Sequence, residues 1–341
     1  MKGWRWLLFP FGILYWGITF IRNFLFSTGL VGRKIIPGKS IVIGNLNVGG
    51  SGKSPLTLYL MKAFQSTHTI QLVSRGYGRR SKGHIQVNAQ HTADQVGDEP
   101  LMYFQYKSER DEVHVAAARW EAIQGLSRQE NDLLLLDDAF QHLHIQAGFS
   151  ILVSDFNAPF FEDFILPVGM LREPRQGAKR ANLMVYTKCP ETIDKATKQY
   201  YISQAQRYQL PAFFSRIVYT PLKSITNVVL NETSEAILVT GIANPRPLKT
   251  HLEKSYALTC FEFADHHEFT LVDIQNIHQK FDTFDAVKPI IITTEKDFMR
   301  LKAQPLFEAI KHYPWYIQPI ELMIENETEF LTIIKSYVSK N

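Results

Sequence analysis

Asn45-Leu46-Asn47-Val48-Gly49-Gly50-Ser51-Gly52-Lys53-Ser54-Pro55 follows an apolar stretch, Ser40 to Gly44, and runs into a helical pattern, Leu56 to Phe64. That context makes it a phosphate-binding loop. Backbone N–H groups must turn inward around an anion, which Gly49, Gly50 and Gly52 permit, and the following helix N-terminus adds a favourable dipole. Lys53 adds a fixed charge, and Ser54 stands where the G-x-x-x-x-G-K-[ST] pattern places a magnesium-ligating hydroxyl. Asn47 replaces the first glycine of that pattern. A turn that merely joins a strand to a helix is the alternative, and a second element argues against it. Asn131-Asp132-Leu133-Leu134-Leu135-Leu136-Asp137-Asp138 has a polar entry, an apolar run suited to a buried parallel strand, and two carboxylates at its C-terminal end. Ligands bind at that end of an open α/β sheet, so Asp137 and Asp138 are expected to face the magnesium held by Ser54. Together the two elements predict a nucleotide cradle over Asn47, Val48, Gly49, Gly50, Ser51, Gly52, Lys53 and Ser54.

The chain has 341 residues and a formal charge of +4, enough length for two domains and too little positive charge for a nucleic-acid binder. Cys189 and Cys260 are its only cysteines, without disulfide or zinc spacing, which fits a reducing cytosolic environment. The N-terminus is the compositional exception. Trp6 to Ile21 carries no charge and holds six aromatic residues between Arg5 and Arg22. It falls short of the about 20 residues that a spanning helix needs, and Pro10 and Gly12 are expected to interrupt it, so an interfacial or re-entrant membrane anchor is the expectation. Packing on the protein's own core is the alternative.

Strand candidates Ile70 to Ser74, His114 to Ala117, Leu133 to Leu136, Ser150 to Ser154 and Asn182 to Thr187 alternate with helices or loops, the signature of a parallel sheet with helices on both faces. Phe214 to Tyr219 and Ile225 to Leu230 flank a turn and predict a two-stranded connector. A second alternation follows, with strands over Ala236 to Gly241, Leu258 to Phe263 and Pro289 to Thr293. The fold expected is therefore α/β: a membrane-associating segment over 1–30, a P-loop catalytic domain over 31–212, a connector over 213–235 and a smaller α/β domain over 236–341.

Polar clusters mark the cleft between two such domains. In Gly97-Asp98-Glu99-Pro100 either carboxylate can serve as a general base or cap a helix. Gln141 and His142 follow Asp138 directly. Leu166 to Arg175 places Arg172 in a stiff loop, where a guanidinium suits phosphate. In Asp265-His266-His267 the two rings point different ways, so one histidine working with a carboxylate is favoured over a metal pair.

Taken in order, the phosphate loop from Gly44 to Pro55, Ser74-Arg75-Gly76-Tyr77-Gly78-Arg79, Gly97-Asp98-Glu99-Pro100, Asp137-Asp138-x-Phe140-Gln141-His142, Leu166-Pro167-x-Gly169-x-Leu171-Arg172-Glu173-Pro174 and Asp265-His266-His267 resemble the tetraacyldisaccharide 4′-kinases of lipid A synthesis. The resemblance spans almost the whole chain. It implies transfer of the ATP γ-phosphate to the 4′-hydroxyl of a tetraacylated glucosamine disaccharide 1-phosphate, at the cytoplasmic face of the bacterial inner membrane. Lys53 and Ser54 would hold phosphates and Mg2+, with Asp137, Asp138 and Glu99 completing the metal site. Asp98 would be the base, paired with His266, and Arg172 would assist the transfer. Arg75, Tyr77, Gln141 and His142 would lie toward the acceptor. The implied protein is peripheral or monotopic on the membrane; the mild charge argues against a nucleic-acid partner, and the oligomeric state is left open with a monomer favoured.

Two other classes compete. A GTP-dependent switch needs an Asn/Thr-Lys-x-Asp motif, which Thr187-Lys188-Cys189-Pro190 lacks and Thr294-Glu295-Lys296-Asp297 carries with its lysine displaced. A transport or partitioning ATPase would turn over without an acceptor, and the sequence shows no Leu-Ser-Gly-Gly-type signature.

Overall fold

The computed structural model describes residues 3–225, 233–284 and 288–340. Nine strands form the larger sheet, in the order Ile320–Ile324, Ala212–Tyr219, Leu183–Thr187, Phe149–Asp155, Ser40–Asn45, Asp132–Asp137, Thr69–Ser74, Glu112–Val115 and Ile85–Gln86. The seven inner strands are parallel and the two outermost antiparallel. Asp132–Asp137 shows why its sequence is apolar throughout: Leu133 and Leu135 pack in one layer of core with Leu56 and Leu60, Leu134 and Leu136 in the other with Leu152 and Tyr186. Both faces are covered, so alternation disappears.

Ser40–Asn45 and Asp132–Asp137 are neighbours, in register from Ser40 beside Leu134 to Ile43 beside Asp137. Thr69–Ser74 and Glu112–Val115 lie to one side of this pair, and Phe149–Asp155, Leu183–Thr187 and Ala212–Tyr219 to the other. The chain reverses its direction of travel here, and its crevice opens beyond the strands' carboxyl ends, where the phosphate loop and Asp137-Asp138 sit.

The second sheet has the order Lys223–Ser224, Trp315–Gln318, Ile290–Thr294, Glu235–Thr240 and Ala257–Glu262, the last four parallel. Helices Leu271–Asp282 and Glu295–Leu301 flank it. The two sheets are joined by one antiparallel ribbon: Ser215 to Tyr219 pairs with Ile324 to Ile320, Thr220 N–H donates to the Pro319 carbonyl, and Lys223 and Ser224 pair with Ile317 and Tyr316. Of the stretch Ile225 to Leu230, residues 226–230 lie outside the described residues. The expectation of one C-terminal unit over 236–341 meets a difference, because Ile320–Ile324 extends the larger sheet and Glu327–Lys340 packs on it. Phe330, Ile334 and Val338 of that helix, four residues apart, bury into the first sheet's core.

At the N-terminus, the expected interruption at Pro10 and Gly12 does not occur, and Phe9–Ser27 is a single helix. Pro10 lies in its first turn, where the missing N–H would have had no helical partner. The 23-residue stretch Arg5–Ser27 is long and apolar enough to cross a membrane, and little of it is buried.

Candidate functional site

The phosphate loop leaves Ser40–Asn45 and enters helix Lys53–Phe64 through Gly52, whose φ of +81° suits glycine and whose missing Cβ would lie 3.0 Å from Thr187 Cβ. Thr187, at the end of the strand two places from Ser40–Asn45, donates its hydroxyl to the Ser51 carbonyl at 2.6 Å, and Lys188 reaches both Asp155, at 2.7 Å, and the Gly50 carbonyl. These braces hold the loop from the side opposite Asp137-Asp138. Ser51 Oγ is buried inside the loop without a hydrogen-bond partner, while Val48 is exposed and contributes its backbone N–H to the Met170 carbonyl.

Lys53 Nζ lies 3.1 Å from Asn45 Oδ1 and 3.6 Å from Asp138 Oδ1. Arg172 closes the same group. Its guanidinium donates to Asp138 Oδ1 at 3.0 Å, to the Asn47 carbonyl at 3.1 Å and to Asn45 Oδ1. Burial raises the Asp138 carboxyl, but Lys53 and Arg172 outweigh it and hold the group below the usual carboxylate range. Asp138 takes a φ of +47°, and the turn is clamped from beneath by Arg119, wholly buried, which donates to the Asp137 and Asp138 carbonyls at 3.1 and 3.2 Å.

Asp137 points the other way. Its oxygens accept from Tyr103 OH at 3.0 Å and from Ser74 and Thr57 hydroxyls at 3.4 Å. Burial, then the neighbouring charges of Glu99 and Asp138, push its carboxyl up to about 7. Ser54 donates to Glu99 Oε1 at 2.6 Å. Ser54 and Glu99 are in contact, and Glu99 and Asp138 lie near enough to Asp137 to raise it, oxygen donors of the type a hard cation takes together with waters and phosphate oxygens, although among the described residues no three carboxylates are gathered around one point.

Asp98 begins helix Asp98–Tyr106 and meets three cationic or ring groups from the second sheet's side. His266 Nδ1 is 3.1 Å from Asp98 Oδ2, Lys296 Nζ is 3.9 Å away, and Arg300 makes a direct ion pair. Lys296 also stands 3.8 Å from Glu99 and 3.2 Å from His266 Nε2. Arg300 Nη2 in turn stands 3.0 Å from His266 Nδ1, so each ring nitrogen lies beside a donor-only cation, and Nδ1 faces the Asp98 carboxylate as well. The neighbouring histidine diverges as expected, with His267 Nε2 3.1 Å from Asp273.

Of the other residues singled out by sequence, Tyr77 is exposed with its ring 5.1 Å from that of His266, and Arg75 is exposed. Gln141 is tied to the Asn45 carbonyl at 2.8 Å and to Glu173 at 3.0 Å. His142 is drawn down to about 4 by burial and by Arg119. Asn47 donates to Asp163 at 2.8 Å. Arg175, in the same arginine loop, turns away to the Asp163 carbonyl. Sequence reasoning missed Asn45, Arg119, Lys296 and Arg300. For the last two a signal existed: Thr294-Glu295-Lys296-Asp297 follows an apolar strand, and Thr294 caps the helix by accepting from the Asp297 N–H.

The family model for tetraacyldisaccharide-1-P 4′-kinase matches residues 4–339. Relatives named tetraacyldisaccharide 4′-kinase include one from Flavobacterium psychrophilum, 39% identical with 98% of this chain and 97% of that one covered. Another, from Cytophaga hutchinsonii, is 36% identical over 95% of this chain and 93% of its own. Among solved structures, the ATP complex of LpxK from Aquifex aeolicus superposes with a TM-score of 0.74 at 24% identity, covering 98% and 99% of the two chains, a likeness of fold. Matched over nearly its full length, the chain belongs to the tetraacyldisaccharide-1-P 4′-kinase family.

Proposed function

We propose that this protein transfers the γ-phosphate of ATP to the 4′-hydroxyl of a tetraacylated glucosamine disaccharide 1-phosphate. The observation that carries the reading is the meeting, in one crevice, of a phosphate cradle and a carboxylate held by a second unit: Lys53 and Arg172 on Asp138, Ser54 on Glu99, and beside them Asp98 against His266. The new bond joins the sugar oxygen to the γ-phosphorus as the bond to the β-phosphate oxygen breaks, and the hydroxyl proton passes to Asp98 as the transition state forms. Lys53 and Arg172 neutralise phosphate charge, while Lys296 and Arg300 orient Asp98. Ser54, Glu99, Asp137 and Asp138 would hold Mg2+, which when bound supplies charge neutralisation at the phosphates.

An acceptor with several acyl chains stays in a bilayer, so the enzyme must come to it. The exposed face of the N-terminal helix, with Phe11, Leu14, Ile18 and Ile21, supports attachment to the cytoplasmic face of the inner membrane. Arg75, Tyr77, Gln141 and His142 are the residues we assign to the acceptor side of the site.

The test is transfer of labelled γ-phosphate to detergent-dispersed tetraacyldisaccharide 1-phosphate, with Lys53→Ala and no-acceptor controls. Labelled lipid is expected only with acceptor and intact Lys53; phosphate release independent of acceptor would favour a switch or a transport ATPase.

A further inference from the structure

On the N-terminal helix Phe9–Ser27, Gly12, Tyr15, Thr19 and Asn23, spaced at three or four residues, share a face turned to the rest of the chain. A Cβ on Gly12 would lie 3.0 Å from Val168 Cγ2, so glycine lets the helix sit directly on the loop that carries Arg172. Thr19 spends its hydroxyl on its own helix, bonding to the Tyr15 carbonyl at 2.9 Å. The Tyr15 hydroxyl and the Asn23 amide nitrogen leave the helix, while Asn23 Oδ1 accepts from Arg22 of the same helix at 3.2 Å. The Tyr15 hydroxyl donates to the Arg172 carbonyl at 2.9 Å, and the Asn23 amide donates to Glu173 Oε2 at 2.6 Å.

Both targets lead straight to the phosphate site. The side chain of Arg172 grips Asp138 and Asn45. Glu173 is wholly buried, paired with Arg180 at 2.7 Å, and accepts from Gln141, whose amide nitrogen also donates to the Asn45 carbonyl. The loop's backbone is bonded to the phosphate loop as well: Arg172 N–H donates to the Leu46 carbonyl at 2.8 Å and Val48 N–H to the Met170 carbonyl at 2.7 Å. An anchor that served only to hold the protein near a bilayer would need none of this, because an apolar face on a simple tether suffices for attachment.

We propose that the N-terminal helix is a positioning element of the phosphate site, with Tyr15 and Asn23 setting the placement of Arg172 and Glu173, so that the seating of the helix is coupled to competence for phosphoryl transfer. The inference rests on the kinase reading for its kinetic arm. Two polar donors on a largely apolar helix are aimed at two consecutive residues, and those residues frame Asp138, Asn45 and Gln141. A shift of the helix along this face therefore moves the guanidinium that neutralises phosphate charge, and a misplacement of about 1 Å is enough to cost roughly 10²-fold in a transfer that depends on positioning.

The experiment compares the full chain with Tyr15→Phe and Asn23→Leu. It measures kcat and KM with ATP and detergent-dispersed tetraacyldisaccharide 1-phosphate, recovery on phosphatidylglycerol-containing vesicles, and amide hydrogen exchange over residues 163–175. Each variant is expected to bind vesicles as the parent does, to lose about tenfold in kcat with acceptor KM nearly unchanged, and to exchange faster over 163–175. Parental kcat together with parental exchange would overturn the proposal. So would a kcat that falls only in step with vesicle recovery, since the helix would then be an anchor alone. If the parent transfers no phosphate, the kinase reading fails separately, and the exchange arm still decides whether Tyr15 and Asn23 hold the loop.

Discussion

Asp137 and Asp98 are equally hidden, 2% and 3% exposed, yet they stand at opposite ends of the carboxylate range. Burial pushes Asp137 up, and Glu99 and Asp138 add to the push, so its carboxyl reaches about 7. Burial pushes Asp98 up too, but the hydrogen bond from His266 and the charges of Lys296 and Arg300 more than cancel it and bring the group to about 2. Burial alone therefore decides neither case; the sign comes from the neighbours. Those neighbours come from different places. Asp137 is surrounded by groups on its own sheet and the helices packed against it, whereas Asp98 meets His266 and the countercharges Lys296 and Arg300 of helix Glu295–Leu301, all from the second sheet's side. One carboxylate is arranged for a ligand and the other for a second unit of the same chain.

The largest way to break this comparison is Asp98→Asn. If Asp98 takes the acceptor's proton, kcat should fall by about 10²–10⁴-fold while ATP affinity holds. A loss confined to ATP binding would instead move Asp98 to the phosphate side and erase the contrast. Asp137→Asn should act in the opposite sense on the fold. A carboxyl whose folded value is raised withholds stability above that value: below about pH 4 both states are protonated and nothing is lost, and the loss grows as pH rises through about 7. In the metal-free protein Asp137→Asn should therefore raise Tm by several degrees at pH 8, with the gain shrinking toward pH 4, as activity is lost. Thermal scans across that range in a chelator check it; a destabilised variant at pH 8 would mean that Tyr103 and the Ser74 and Thr57 hydroxyls compensate the charge.

The larger sheet was legible because its signals are local. The buried run Leu133 to Leu136 and the glycines after Ser40 to Gly44 each announce a structure within a dozen residues, and the strands observed there differ from expectation by a residue or two at their ends. The return of Ile320–Ile324 to that sheet was not legible, since nothing in a short edge strand states which of two sheets will take it. The same limit applies to the site. Lys53 and Arg172 meet at Asp138, Ser54 meets Glu99, and His266 reaches Asp98. Arg300 and Lys296 lie some two hundred residues from Asp98 in sequence, in a string whose local pattern resembles a displaced guanine-reading motif, so only the packing of one unit on the other reveals their partner. Pro10 misled for a simpler reason, because a proline breaks a helix in its interior and is harmless in its first turn.

The finest test of the comparison is His266→Asn. His266 takes a φ of +60°, a conformation that asparagine tolerates better than most residues, so the backbone should keep its course while the ring donor is lost. Lys296 and Arg300 remain, which is why kcat should fall by less than the about 10²–10⁴-fold set by Asp98→Asn. The pH behaviour is more telling. A carboxyl whose folded value is depressed contributes stability that is present above its unfolded value, near 4, and is lost as pH falls through about 2; for Asp98 that contribution is about 2 kcal/mol. Removing the hydrogen bond raises Asp98, so the acid limb of the kcat/KM profile and the midpoint of acid unfolding should both move to higher pH. If neither moves while kcat still falls, His266 serves the acceptor rather than Asp98, and the countercharge from the second unit reduces to Lys296 and Arg300.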